Sequence, residues 1–179
     1  IAQHEYDPEQ AKSLLKAAGA EGLTTTLHAS NTPFTGAVDA AQLFSEHAAA
    51  AGIKIEVSRE PEDGYWSNIW GKKPFFASRW SGRANEDLML SLAYSREALG
   101  GYNATNWDND AFNVALTAAR SERDDAKLRA LYGQCHALIP GDGGIIAPAW
   151  YGLLYCNSNQ RSTSLRTTPA RLDQRCSHY

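Results

Sequence analysis

The order of helix-like and strand-like segments in the first third of the chain constrains its fold most strongly. Residues 7–19 predict a helix, because an aspartate N-cap and a proline at the first helical position precede apolar residues at helical spacing. Residues 23–29 are rich in β-branched side chains and predict a strand, and residues 38–51 predict an alanine-rich helix. Residues 53–57 alternate strictly and predict a second strand with one buried face. Helices that alternate with strands in this way indicate an α/β layer.

The remaining segments extend this pattern with further helices and two apolar strands. Pro148 lies within the second of these strands, which places that strand at a sheet edge or a bulge. The predicted elements are helices over 62–70, 86–94, 109–120 and 124–139, strands over 74–80 and 145–155, and a turn at 140–144.

Bulk composition excludes several classes of protein. The chain has 179 residues and a formal net charge of −3, so nothing in its charge favours nucleic acid as a partner. No apolar run reaches the roughly 18–20 residues that a membrane span needs. The chain begins without an initiator Met, a basic stretch or an apolar run, from which we expect a processed product or an excised piece. Three cysteines are an odd number and do not form a complete disulfide framework, although one pair could bridge.

Catalytic and metal-binding motifs are missing from the sequence. The five histidines are widely scattered without the spacing of a zinc site, so no metal or cofactor is expected. There is no nucleophile elbow, phosphate-binding loop or dinucleotide fingerprint. The carboxylate pairs Glu60/Glu62 and Glu86/Asp87 are typical of solvated surface and of a helix first turn. We therefore expect a protein that is not an enzyme, and a small hydrolase is the weakest alternative.

An aromatic and glycine-bearing run at residues 65–83 is the strongest candidate for a ligand site. Trp80 would pack on a solute, Ser81 and the backbone of Gly82 would donate or accept hydrogen bonds, and Arg83 would set the charge preference. The weaker candidates for ligand contact are Tyr65, Trp66 and Asn85. The alternative is that Trp80 belongs to the core and Arg83 is a surface charge.

Five segments of the sequence carry a resemblance to one known family. They are residues 6–19 (YDPEQAKSLLKAAG), 64–74, 79–87 (RWSGRANED), 106–112 and 120–148. The first is similar to a helix, and residues 79–87 resemble the stretch around a ligand-facing tryptophan, of the peptide/nickel solute-binding proteins, family 5 of the extracellular solute-binding proteins of ABC transporters. The matches run in family order over residues 6–155.

The resemblance implies one lobe of a periplasmic-binding-protein-like type II fold, with a mixed sheet flanked by helices. Residues 1–156 would form the C-terminal lobe, while residues 157–179, with four Arg and one Asp, would form an atypical mobile tail. It also implies a monomeric capture protein in the periplasm or on the extracytoplasmic face of a bacterium. That protein would bind a peptide or other small solute and hand it to a membrane permease.

One departure from the family pattern bears on the ligand. In peptide binders of the family, an Asp after the tryptophan holds the amino terminus of the peptide, and Arg83 stands at that place here. A cation there would repel an amino group, so the resemblance leads us to expect an anionic solute instead of an ordinary peptide. Two other interpretations stay open: a ligand-sensing domain of a regulatory protein, and a truncated fragment without function.

Overall fold

The computed structural model describes residues 5–147, which fall into two compact units, residues 5–106 and residues 107–147. The predicted tail at 157–179 and most of the predicted strand at 145–155 lie outside the described residues. The boundary predicted at residue 156 therefore stays a prediction.

A parallel β-α-β arrangement forms the first unit. Strand β1 (Thr24–Ala29) and strand β2 (Lys54–Arg59) pair in parallel, from Thr24 opposite Lys54 to Ala29 opposite Arg59. Helix α2 (Ala37–Ala49) connects them, as a parallel pair requires a crossover. The α/β class predicted from the sequence is confirmed.

Residues 75–77 run parallel to β1 along the edge that does not pair with β2. His28 N–H donates to the Phe75 carbonyl at 3.0 Å, and Ala77 N–H donates to the His28 carbonyl at 2.8 Å. The predicted strand at 74–80 is thus reduced to one bridge, between His28 and Phe76. Pairing among the described strands is parallel throughout, so no antiparallel partner of a mixed sheet occurs within residues 5–147.

Apolar residues from one face of this layer pack against α2 as predicted. Leu27 and Ala29 of β1 and Ile55 of β2 are buried against Val38 and Ala41 of α2. The alternation along each strand sends these side chains inward, which fixes the register of the pair. The partly buried residues around this cluster are Phe44, Ala48, Ile53, Val57, Phe75 and Ala77.

Helix α1 (Pro8–Ala17) forms where its local signals predict it. The Asp7 side chain accepts a hydrogen bond from the Gln10 N–H at 2.8 Å, and Gly19 takes a left-handed φ of 66° just past the end. None of its residues is buried, and Leu14 is 64% exposed. The helix is therefore set by its caps and propensity more than by packing within the described residues.

Two further helices of the first unit differ in how closely they follow the prediction. Helix α4 (Glu86–Tyr94) matches it. Helix α3 (Tyr65–Asn68) is a single turn, although a helix was predicted over 62–70. Gly64, at a positive φ, delays the start of the helix to Tyr65, and the chain leaves helical geometry at Ile69.

The second unit contains helices α5 (Asp110–Ser121) and α6 (Asp125–Asp142), which pack against each other. Phe112 and Cys135 are buried in this unit, and the Cys135 thiol contacts the Phe112 carbonyl at 3.9 Å. The predicted turn at 140–144 is wrong, because α6 continues through Pro140 to Asp142. Pro140 lacks an N–H of its own, but the residues after it keep helical hydrogen bonding, since the Gly143 N–H donates to the Ile139 carbonyl at 2.8 Å.

No helix among residues 5–147 combines the length and apolar character that crossing a membrane requires.

Candidate functional site

Helix α3 carries Trp66, one of the aromatic side chains of the candidate site, next to the buried Tyr65. Gly64, at φ 75°, turns the chain into the helix, so that Tyr65 points into the protein and Trp66 points out, 44% exposed. Trp70 follows four residues after Trp66, and the centroids of their rings are 6.3 Å apart. The Trp70 indole N–H donates to the Ser78 hydroxyl at 3.1 Å, which fixes the ring to the neighbouring extended segment.

Tyr65 attaches this helix to the sheet. Its ring is only 1% exposed, and its hydroxyl donates to the Ala77 carbonyl at 2.6 Å, with the His28 carbonyl 3.2 Å away. Burial, reinforced by the negative charge of Glu60, raises the pKa of Tyr65 to about 12. The hydroxyl therefore stays protonated and remains a hydrogen-bond donor at neutral pH.

A histidine–glutamate pair lies at the C-terminal end of the two strands, close to the residues that Tyr65 contacts. His28 Nδ1 lies 2.6 Å from Glu60 Oε1, and the Ser58 hydroxyl donates to the same oxygen at 2.9 Å. These two hydrogen bonds lower the pKa of Glu60 below its ordinary value. The carboxylate thus stays ionised beside the strand that leads toward Trp80.

A loop distant in sequence supplies the last aromatic ring. Tyr102 is 57% exposed, and the residue after it, Asn103, is 2% exposed. The Asn103 side chain donates to the Ser95 carbonyl at 3.2 Å, and its backbone N–H donates to the Ala98 carbonyl at 3.1 Å. Asn103 therefore anchors the loop that presents Tyr102.

Three rings meet at the centre of the site. The ring centroids of Trp70 and Trp80 are 6.3 Å apart, those of Trp70 and Tyr102 are 6.0 Å apart, and those of Trp80 and Tyr102 are 6.4 Å apart. Their planes are inclined by 58–66°, which is the tilted or edge-to-face packing that aromatic side chains favour. The three residues form a triangle of mutual contact, which we call the aromatic triangle.

The aromatic triangle borders an open pocket of about 340 Å³. This volume lies near the lower end of the roughly 300–1,000 Å³ that is typical of small-ligand sites. The residues that line it are Trp66, Trp70, Arg79, Trp80, Ser81, Arg83 and Tyr102. The lining thus combines aromatic rings, one hydroxyl and two guanidinium groups, a mixture that can hold a small solute by stacking and by charge.

The guanidinium of Arg83 is held close to the Trp80 ring. Its central carbon lies 5.5 Å from the ring centroid, and Nη1 donates to the carbonyls of Ser81 at 2.8 Å and Gly82 at 3.4 Å. Arg79 donates from Nη1 to the Ser81 hydroxyl at 3.4 Å. Both cations therefore converge on the same short segment of the pocket wall.

Four of the seven residues predicted from the sequence line this pocket: Trp66, Trp80, Ser81 and Arg83. Gly82 lies between two lining residues, and a side chain added there would meet no atom within 4 Å. Tyr65 is buried instead, and the Asn85 side chain caps α4 by accepting from the Leu88 N–H at 2.9 Å. Contact of Tyr65 and Asn85 with a solute stays a prediction, and the structural work that each performs argues against it.

Three lining residues were not among the predicted contacts: Trp70, Arg79 and Tyr102. The first two lie in the aromatic run itself, and the i, i+4 spacing of Trp66 and Trp70 was a usable signal. Tyr102 follows two glycines in a loop, a setting that favours exposure of the ring, but only the folded chain brings it beside Trp80.

No group of three or more His, Cys, Asp or Glu side chains in residues 5–147 is placed to hold a metal ion. The site's chemistry in the described residues is that of stacking, hydrogen bonding and cationic charge.

Comparison with known proteins identifies the family to which the chain is similar. Residues 1–100 match the family model described as bacterial extracellular solute-binding proteins, family 5 middle. The chain is 31% identical to di/tripeptide-binding protein 4 of Pseudomonas aeruginosa, over 75% of this chain and 26% of that protein. It is 28% identical to the glutathione-binding protein GsiB of Pectobacterium atrosepticum, over 87% of this chain and 32% of that protein.

A solved structure gives the same result for the fold. The periplasmic binding protein DppA of Helicobacter pylori, associated with an ABC transporter and in complex with the peptide STSA, superposes with a TM-score of 0.69. It shares 26% identity over 80% of this chain and 29% of that one. The chain thus spans about a third or less of the length of the relatives it matches.

Proposed function

This chain belongs to family 5 of the bacterial extracellular solute-binding proteins, and we propose that it forms part of the capture site for a small solute of an ABC importer. Proteins of the family bind solutes for transport and are not enzymes. The proposal places the natural protein in the periplasm or on the extracytoplasmic face of a bacterium, where a monomer would deliver its solute to a membrane permease.

The observation that carries the proposal is the pocket bordered by the aromatic triangle. A pocket of about 340 Å³ with aromatic walls and a few polar groups suits a small, partly apolar solute. Trp80 would pack on the solute, and Ser81 and the backbone of Gly82 would form hydrogen bonds with it. The names of the relatives support a peptide or a peptide-like compound as the solute class.

The charge of the pocket supports an anionic solute within that class. Two of its seven lining residues are arginines and none is a carboxylate, in a chain whose formal net charge is −3. A guanidinium forms strong, paired hydrogen bonds with carboxylate or phosphate groups. Arg83 would therefore attract the anionic group and disfavour a free amino group at the same point.

A thermal-shift screen of the natural protein, with any sequence that its gene carries on either side of this chain, tests the proposal. The screen uses dipeptides, tripeptides, glutathione and small organic acids, because a ligand that binds only the folded state raises Tm with its concentration. We expect at least one of these compounds to raise Tm, and Arg83→Ala to abolish the shift. If no compound raises Tm, or if Arg83→Ala responds like the unmodified protein, the proposed capture site is wrong.

A further inference from the structure

The aromatic triangle offers a ligand more ring surface than a small polar solute needs. Trp80 and Tyr102 both line the pocket, and Tyr102 is 57% exposed. Because the three rings meet tilted or edge to face, none of them lies flat against another as in a stacked pair. Flat surfaces of this kind gain most from a flat partner, which they can contact by offset stacking or edge to face.

Arg83 has hydrogen-bond donors to spare on the side away from the backbone. A guanidinium carries five N–H donors, and within residues 5–147 the hydrogen bonds of Arg83 to the chain leave from Nη1. The donors on Nε and Nη2 have no carboxylate of the described chain within ion-pair distance. These two nitrogens form the edge of the guanidinium that pairs with both oxygens of a carboxylate.

The same arrangement excludes a cationic ligand. A box of aromatic rings without nearby charges would suit a quaternary ammonium group, which binds to ring faces. Here the guanidinium of Arg83 already lies 5.5 Å from the Trp80 centroid, and Arg79 adds a second positive charge to the lining. A cationic ligand in this pocket would be repelled by both arginines.

We infer that the solute class of this pocket is a small aromatic carboxylate, with a flat ring one or two bonds from the anionic group. The inference rests on the proposed function, since it names the ligand chemistry of the same site. Arg83 binds the carboxylate through Nε and Nη2, while the ring packs against Trp80 and Tyr102. The short distance from the guanidinium to Trp80, and the small pocket, place both ends within one compact molecule.

Four matched probes separate the contribution of the ring from that of the charge. Phenylacetate carries both features, phenylacetamide keeps the ring without the charge, cyclohexylacetate keeps the charge without the flat ring, and acetate keeps only the carboxylate. We expect isothermal titration calorimetry on the natural protein to show phenylacetate binding about tenfold or more tightly than each of the other three. Ala-Ala and choline serve as probes for an ordinary dipeptide and for a cation.

Two variants connect these preferences to named side chains. Arg83→Gln should remove the preference for phenylacetate over phenylacetamide, whereas Trp80→Leu should remove the preference for phenylacetate over cyclohexylacetate. Arg59→Gln removes the same charge from an exposed position on β2 and should change neither ratio. Circular dichroism of each variant verifies that the fold is retained before the ratios are compared.

The outcomes distinguish this inference from the proposed function. If Ala-Ala binds more tightly than phenylacetate, or if cyclohexylacetate binds as well, solute capture stands and the aromatic-carboxylate class is overturned. Binding of choline overturns the class as well. If none of the four matched probes binds, and choline and the peptides do not bind either, the proposed function fails and this inference fails with it.

Discussion

The guanidinium carbon of Arg83 lies 5.5 Å from the centroid of the Trp80 ring, three residues earlier in the chain. The two side chains support each other, because a cation over an indole face is attracted by the negative charge of the ring's π system. The contact holds an exposed arginine against the pocket wall, where it would otherwise sample many rotamers. It therefore prepares the cation for an anionic ligand before that ligand arrives.

This contact predicts an energetic coupling between the two residues. In a double-mutant cycle with Arg83→Gln and Trp80→Leu, the free energies of unfolding should show a coupling of about 0.5–1 kcal/mol, the range for exposed cation–π pairs. Denaturation of the natural protein and the three variants in urea measures it. The same cycle between Arg59→Gln and Trp80→Leu is the control and should give additive effects. Additivity in the Arg83 cycle would contradict the contact.

Gly82 offers a direct test of backbone contact with the solute. Its φ is not left-handed, and an added Cβ would meet no protein atom within 4 Å, so the fold can accept alanine there. We expect Gly82→Ala to change the free energy of unfolding by no more than about 0.5 kcal/mol. Solute affinity should fall several-fold, because the methyl group occupies the space that the ligand needs.

Gly133→Ala is the matched control for this experiment. Gly133 also has open space around its Cβ and lies inside α6, where alanine should stabilise by about 0.5–1 kcal/mol without affecting the ligand. Titration calorimetry on both variants decides the question. Unchanged affinity in Gly82→Ala would show that the solute does not approach the backbone at this position.

Asn103 should control the pocket through the position of Tyr102. Its side chain is buried and donates to the Ser95 carbonyl, so Asn103→Ala leaves that carbonyl without this donor and should cost about 1–3 kcal/mol of unfolding free energy. Solute affinity should also fall, since the loop that presents Tyr102 loses its anchor. Thr105→Val removes the hydrogen bond from the Thr105 hydroxyl to Asn103 Oδ1 and leaves the bond to the Ser95 carbonyl in place, so it should have a smaller effect on both quantities.

A purely structural role for Asn103 makes a different prediction. In that case Asn103→Ala would lower the unfolding free energy and leave the affinity per folded molecule unchanged. Adding Tyr102→Leu to the Asn103→Ala background provides a second check. If Asn103 acts through Tyr102, the double variant should bind no more weakly than Tyr102→Leu alone.

Local signals in the sequence were sufficient to predict most of the helices. Asp7 accepts from the Gln10 N–H and Asn109 accepts from the Phe112 N–H, as their positions before apolar helical patterns indicate. Pairing of the 74–80 segment was harder to predict, because hydrogen bonds with β1 depend on a residue more than 40 positions away. The end of α6 was missed because a single proline was taken as a stop, while the turn that follows it remains helical.

The site was predictable only where its residues are close in sequence. Trp80, Ser81 and Arg83 lie within four positions, so their combination of ring, hydroxyl and cation made this segment a candidate ligand site, with a core Trp80 and a surface Arg83 as the alternative. The structure places all three in the lining of one pocket. Tyr102 joins them through tertiary structure, held by the buried side chain of Asn103. The burial of Tyr65 could not be predicted, because two adjacent aromatic residues, Tyr65 and Trp66, give no sign in the sequence of which one is buried.

The pair of His28 and Glu60 predicts how stability depends on pH. Hydrogen bonds from His28 and then Ser58 hold the pKa of Glu60 below its ordinary value in the folded protein. Its contribution to stability is therefore fully present above the pKa of an unfolded glutamate, and it is lost as the pH falls through the lower pKa of the folded state. Glu60→Gln should thus make the unfolding free energy fall less steeply with decreasing pH over that acidic window.

Glu62→Gln is the matched control, because Glu62 is an exposed glutamate only two residues from Glu60. Urea unfolding of the natural protein and both variants at a series of pH values between neutrality and the acid limb measures the slopes. The control should follow the unmodified protein, while Glu60→Gln should diverge from it most at neutral pH and converge with it in acid. Parallel curves for all three proteins would mean that the contact between His28 and Glu60 does not perturb the carboxylate. In that case the contact between His28 and Glu60 would not help to fix the end of β1. The Tyr65 hydroxyl links that end of β1 to helix α3, which carries Trp66, and to the extended segment that leads to Trp80.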